Sequence, residues 1–131
     1  MDLMKKARLL TKKPILAKGI HATDNEVQEA IDAGADYVLV VGRIPAIHQD
    51  KCFIESDTLA ELKEISENIK VVWNSRDLST GGMKKEMFQE ARKLFTGWLC
   101  QASNIKTVAD IKRGADAVLV GTHLESFARS L

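Results

Sequence analysis

The chain predicts a parallel α/β fold of about six strands, and three observations carry that reading. The pattern Gly-Ala-Asp-x-Val-Leu-Val occurs twice, at 34–40 and 114–120, and a glycine follows each copy, Gly42 and Gly121. Each copy sits behind a helix-like segment. Its glycine ends the helix in the left-handed conformation, and its β-branched run starts a strand buried on both faces. Four more short apolar runs alternate with helix-like segments along the 131 residues, the rhythm of repeating βα units.

Residues 1–11 predict a short amphipathic helix with Leu3, Met4, Ala7 and Leu10 on one stripe. A strand follows over 14–18, its proline tolerated at the first position. Thr23 with Glu26 forms a capping box that opens a helix to about Ala33, and 36–41 is the second strand. Residues 42–51 contain Pro45 and are too irregular for a good helix. Strands at 52–55, 70–74, 98–101 and 116–120 then alternate with helices at 58–68, 84–95 and 107–113, with a turn at 79–82 and a last helix over 124–131. No linker or composition shift divides the chain, so one domain of 1–131 is expected. A closed eight-stranded barrel typically needs about 250 residues. Six strands suit an open doubly wound sheet or the larger part of a barrel.

With 28% charged residues and a formal charge of +1, no basic field for nucleic acid is present, and Lys5, Lys6, Arg8, Lys12 and Lys13 read as a solvated helix face. No apolar stretch approaches the roughly 20 residues that span a bilayer. Cys52 and Cys100 lack partners at zinc-like spacing and read as reduced core residues, so a cytoplasmic protein is expected. His21, His48 and His123 show no ligand spacing, and neither a metal nor a cofactor is expected.

Ligands of parallel βα folds bind at the carboxyl ends of the strands. The residues there are Lys18, Gly42-Arg43, Glu55, Asn74-Ser75-Arg76, Ala102-Ser103-Asn104 and Gly121-Thr122-His123. Ser103 and Thr122 read equally as anion-binding hydroxyls, with Arg76 as counter-charge, or as helix N-caps. Lys18 is a candidate proton donor if its strand end desolvates it, and Glu55 a candidate base or its ion-pair partner.

Five segments resemble indole-3-glycerol phosphate synthase. They are Pro14-Ile15-Leu16-Ala17-Lys18, Ala33-Gly34-Ala35-Asp36, Phe53-Ile54-Glu55, Asn74-Ser75-Arg76-Asp77-Leu78-Ser79-Thr80 and the run 117–124. The similarity runs in order over nearly the whole chain, and Asn-Ser-Arg-Asp-Leu-x-Thr is its most specific piece. The resemblance implies a TIM-type (β/α) barrel, truncated because the family's first two strands, with a second active-site lysine and a glutamate, have no counterpart. It also implies a carbon–carbon lyase of tryptophan biosynthesis acting on a phosphorylated metabolite. By position, Lys18 resembles the general-acid lysine, Glu55 the fifth-strand carboxylate and Asn74 the substrate-orienting amide. Arg76, Ser103, Gly121 and Thr122 resemble the phosphate site. Residues 42–51 replace the helix normally found between the family's fourth and fifth strands. Ile20 stands where the family has an aromatic ring, and Ala102-Ser103-Asn104-Ile105 replaces Glu-Ser-Gly-Ile, deleting another carboxylate.

Three functions are therefore carried forward. One is a lyase-like binder with slow or no turnover. The others are a non-catalytic sensor or regulatory protein keyed to phosphate, and a half-barrel completed by another chain. The apolar strands at 14–18 and 116–120 lack the neighbours a full barrel would give them, which favours a homodimer or a partner chain.

Overall fold

Both Gly-Ala-Asp motifs are gripped in the same way by an arginine, and the two grips anchor the two halves of the chain. The computed structural model describes residues 2–77 and 80–131; Met1, the expected start of the first helix, and Leu78 and Ser79, the latter in the expected 79–82 turn, lie outside the described residues. The chain forms two compact units, one ending at Glu55 and one running from Ser56 to Leu131. The first unit holds α1 (Asp2–Leu10), β1 (Leu16–Ala17), α2 (Asp24–Asp32), β2 (Tyr37–Val41), a 3-10 turn at Gln49–Lys51 and all but the last residue of β3 (Cys52–Ser56). The second unit holds α3 (Leu59–Lys63), β4 (Lys70–Asn74), α4 (Phe88–Leu94), β5 (Leu99–Ala102), a 3-10 turn at Val108–Asp110, β6 (Ala117–Leu119) and α5 (Leu124–Arg129). Strand pairing is parallel between β1 and β2, β2 and β3, β4 and β5, and β5 and β6, as the all-apolar runs predict.

In the first unit Arg8 of α1 donates to Asp36 Oδ2 at 2.8 Å, to the Gly34 carbonyl at 3.2 Å and to the carbonyls of Thr11 and Lys13 at 2.7 and 2.9 Å. The same Asp36 oxygen accepts the Ile15 N–H at 2.8 Å, which pins the start of β1. In the second unit Arg92 of α4 donates to Asp116 Oδ2 at 3.0 Å, to the Gly114 carbonyl at 2.9 Å and to the carbonyls of Phe95 and Gly97 at 2.5 and 2.6 Å. Asp116 Oδ2 takes the Leu99 N–H at 2.9 Å. Both motif glycines have positive φ, 111° at Gly34 and 89° at Gly114, as the helix-stop reading requires. A side chain at Gly34 would also meet Arg8 Cγ at 2.6 Å, so the glycine leaves room for the arginine as well as the turn.

Each unit has its own core. Val27 and Ala30 of α2, Val38 and Val40 of β2 and Ile54 of β3 are buried in the first, where Tyr37 stacks on Phe53 with ring centroids 5.1 Å apart. In the second, Leu62, Val71, Trp73, Phe88, Phe95 and Leu99 form one cluster. Burial of such side chains contributes about 1.5–3 kcal/mol each.

Three elements depart from expectation. The stripe on α1 is not buried: Leu3 and Leu10 are 82% and 85% exposed, and only Met4 and Ala7 are half-buried. The helix predicted from Lys84 starts at Phe88, because Lys84 N–H is drawn to the Ser75 carbonyl at 2.8 Å beside an antiparallel bridge between Arg76 and Met83. The helix predicted over 107–113 is a single 3-10 turn. Gln101 Oε1 accepts the Lys112 N–H at 2.8 Å and its amide donates to the Asp110 carbonyl at 2.9 Å, so a side chain takes backbone groups that further helix would use. Among the described residues no helix is long and apolar enough to cross a membrane.

Candidate functional site

The strand ends of the first unit are largely occupied with their own structure. Lys18, just past β1, is solvent-exposed, so the desolvation on which its proton-donor role would depend is absent there. Glu55 is buried at the end of β3, and its carbonyl accepts the Gly42 N–H at 2.9 Å. Arg43 donates to Asp24 Oδ1 at 2.7 Å and to the His21 carbonyl at 3.0 Å, and this pairing holds the Asp24 carboxyl below the usual carboxylate range. His21 Nδ1 lies 2.6 Å from the Leu39 carbonyl, which requires the proton on that nitrogen. Thr23 caps α2, its Oγ accepting the Glu26 N–H at 3.2 Å.

In the second unit the register sets Asn74 beside Ala102 and Ala102 beside Leu119, so the three strand ends form one edge. Arg76, Ser103 and Gly121 follow this line by one or two residues. Ser103 Oγ donates to Asn74 Oδ1 at 2.5 Å, and the same oxygen accepts the Arg76 N–H at 2.9 Å. Asn104 Nδ2 donates to Ser75 Oγ at 3.3 Å, and that hydroxyl lies 3.2 Å from the Ala102 carbonyl. Ser103 and Asn104 both take left-handed backbone, with φ of 70° and 58°. This conformation is uncommon for residues other than glycine, and asparagine tolerates it best. Asn104 can therefore stand where the resembled family has glycine.

Neither Ser103 nor Thr122 is a helix N-cap. Thr107 precedes the 3-10 turn and His123 precedes α5. Gly121 and Thr122 are exposed, and a side chain at Gly121 would meet open space. The Arg76 guanidinium is exposed and bonds to no described residue. The first unit offers the contrast, for Arg43 is fully engaged. Among the described residues no group of three or more His, Cys, Asp or Glu is placed to hold a metal.

No protein-family model matches the sequence.

Sequence reasoning missed a cavity of about 330 Å³ beside this edge, lined by Trp73, Met87, Phe88 and Gln101 with Lys106 and Lys112. In sequence, Trp73 is one apolar letter in the β4 run and reads as core. It is core, but it also lines the cavity.

Proposed function

We propose that the strand-end edge of the second unit binds the phosphate group of a small metabolite. In this reading the chain is a truncated TIM-type barrel of the indole-3-glycerol phosphate synthase kind. The observation that carries the proposal is Arg76. An exposed guanidinium, bonded to no described residue, stands two residues past β4 beside a loop whose hydroxyl and amide groups are already ordered. A guanidinium with free donors is matched to phosphate oxygens, and a charge-assisted pair is the strong kind of hydrogen bond. Ser103, Gly121 and Thr122 complete the proposed phosphate site.

By position in the resembled family, Asn74 is the proposed orienting group of this edge and Glu55 a proposed proton-handling group of the first unit, whereas exposed Lys18 lacks the desolvation its proton-donor role would need. Ile20 and Ala102 supply neither an aromatic face nor a carboxylate. Each lost acid–base group removes about 10²–10⁴-fold of rate, so the chain alone is proposed to bind ligand with little lyase turnover. A phosphate-keyed regulatory role uses the same binding residues.

Calorimetric titration with ribose 5-phosphate tests the site. Arg76→Ala should weaken binding by about 2 kcal/mol and leave the unfolding midpoint in place. Equal affinity of both proteins would move the phosphate site elsewhere. A second reading, completion of the sheet by another copy or a partner chain, is favoured by the half-buried β6 and by Leu3, Leu9 and Leu10 standing exposed on α1. A solution mass that stays near 14.5 kDa across a hundredfold dilution would exclude the homodimer.

A further inference from the structure

The backbone that carries Arg76 is one of two short arms lying side by side after β4, residues 75–77 and 82–84. An antiparallel bridge joins Arg76 to Met83. The Asp77 N–H donates to the Gly82 carbonyl at 2.7 Å, and the Lys84 N–H to the Ser75 carbonyl at 2.8 Å. The first arm is also tied to the strand edge. The Ser75 N–H and hydroxyl both reach the Ala102 carbonyl at 3.2 Å, and the Arg76 N–H reaches Asn74 Oδ1 at 2.9 Å. The second arm is held differently. From Thr80 to Met87 every residue is exposed except Lys84.

Lysine side chains ordinarily keep the ammonium in water. That of Lys84 is only 7% exposed. Its ammonium lies 4.4 Å from the centre of the Trp73 ring, donates to the Ser56 carbonyl at 3.4 Å and stands 3.7 Å from Asp57 Oδ1. All three partners belong to the second unit. An indole face holds a desolvated cation more strongly than an exposed one, and the carbonyl and carboxylate complete an electronegative seat. Trp73 is itself fixed, being 1% exposed and packed with Val71, Phe88 and Leu99. Lys84 thus fastens the second arm to the core at a point where its neighbours in sequence make no claim on the interior.

We propose that Lys84 is a positioning residue of the phosphate site, a strut that fixes the backbone under Arg76. The inference rests on the reading of this edge as a phosphate site. The path is short: the ammonium grips Trp73, the Lys84 main chain grips Ser75, and Met83 grips Arg76. The Arg76 guanidinium bonds to no described residue, so its root is what the fold controls. A guanidinium on an ordered root loses less freedom on closing over an anion than one on a loose loop. The Lys84 ammonium, seated in the core, acts through Arg76 and not on the ligand.

Amide hydrogen exchange on the full chain, read by NMR, tests the strut without ligand. Lys84→Met keeps the length of the arm and removes its charge. The Asp77 and Gly81 amides, which bond Gly82 and Asp77, should exchange about tenfold faster or more, while the clasped Leu99 amide keeps its rate. Lys84→Arg should restore most of the protection. Unchanged exchange at Asp77 and Gly81, or equal acceleration at Leu99, overturns the strut. Calorimetric titration with ribose 5-phosphate then reads its use. Lys84→Met should weaken binding about fivefold in the parent and cause no further loss beside Arg76→Ala, since the two residues act as one. An equal loss in both backgrounds overturns the positioning role. If Arg76→Ala alone leaves the affinity unchanged while the exchange result holds, the phosphate reading falls and the strut stands.

Discussion

The two units begin their strands alike and end them differently. At the starts, Arg8 and Arg92 make matching bonds. Each reaches carbonyls three and five residues ahead, then a motif glycine and a motif aspartate, and each aspartate holds the N–H seven residues after its arginine. At the ends, the first unit closes its polar groups on itself through Arg43, Asp24 and His21, while in the second the Arg76 guanidinium bonds to no described residue and a cavity adjoins Ser75 and Ser103. The repeated part makes the fold; the divergent part is where the proposed phosphate site lies. This division matches the general rule that the amino ends of parallel strands serve stability and the carboxyl ends serve chemistry.

The sharpest asymmetry between the clasps lies five residues past each arginine, where the first unit has exposed Lys13 and the second has Gly97. A side chain at Gly97 would overlap the Glu67 carbonyl oxygen and crowd the Phe95 ring. Gly97→Ala should destabilise the second unit by about 3 kcal/mol, the upper end for overpacking. Chemical denaturation checks it, and a loss under about 1 kcal/mol would mean the loop yields without strain.

Next in size is removal of the arginines themselves. The chain's two cysteines report on the units separately, Cys52 in the first and Cys100 in the second. Burial raises both thiol pKa values, that of Cys100 to about 12, so neither reacts readily until its surroundings open. Arg8→Ala should speed alkylation of Cys52 by about tenfold or more and leave Cys100 unchanged, because four hydrogen bonds vanish from one unit only. Arg92→Ala should do the reverse. Equal acceleration of both thiols by either change would show that the units open together.

The smallest effect is pH-dependent. The Ile15 N–H, and then Arg8, hold the Asp36 carboxyl below its ordinary 3.8. A carboxyl with a lowered folded-state pKa stabilises the protein above its unfolded-state value and loses that contribution as pH falls through the folded one. Asp36→Asn should therefore cost stability at neutral pH, and the gap to the parent should narrow as pH drops below 3.8. A gap that is constant down to strong acid would remove charge from the account of this clasp.

The strands were the most legible part of the sequence. Lys70–Asn74 is bounded as predicted, because a short β-branched run between polar residues has one reading. The capping residue Thr23 was equally readable, since its signal is local. Helix lengths were not. The helix at Thr58 ends at Lys63 rather than Asn68, where the Ser66 hydroxyl takes the Asn68 N–H and the Ser66 carbonyl takes that of Ile69. Such turn bonds compete with helix at short range. For the candidate site, strand-end position identified Asn74, Arg76 and Ser103, but only packing could separate a guanidinium that bonds to no described residue from one committed like Arg43. Trp73 was invisible as the seat of a cation because a sequence names the indole and not its neighbours.

The spans of the two clasps bear on how the chain is made. Arg8 and Asp36 are 28 residues apart and Arg92 and Asp116 are 24, so neither closure draws on the other half of the polypeptide. On the ribosome the first can close while the second half is still being added at about 5–20 residues per second. The duplicated motif thus divides assembly in time as well as in space, and a stall in translation between the halves would leave behind a clasped and ordered piece rather than a bare chain.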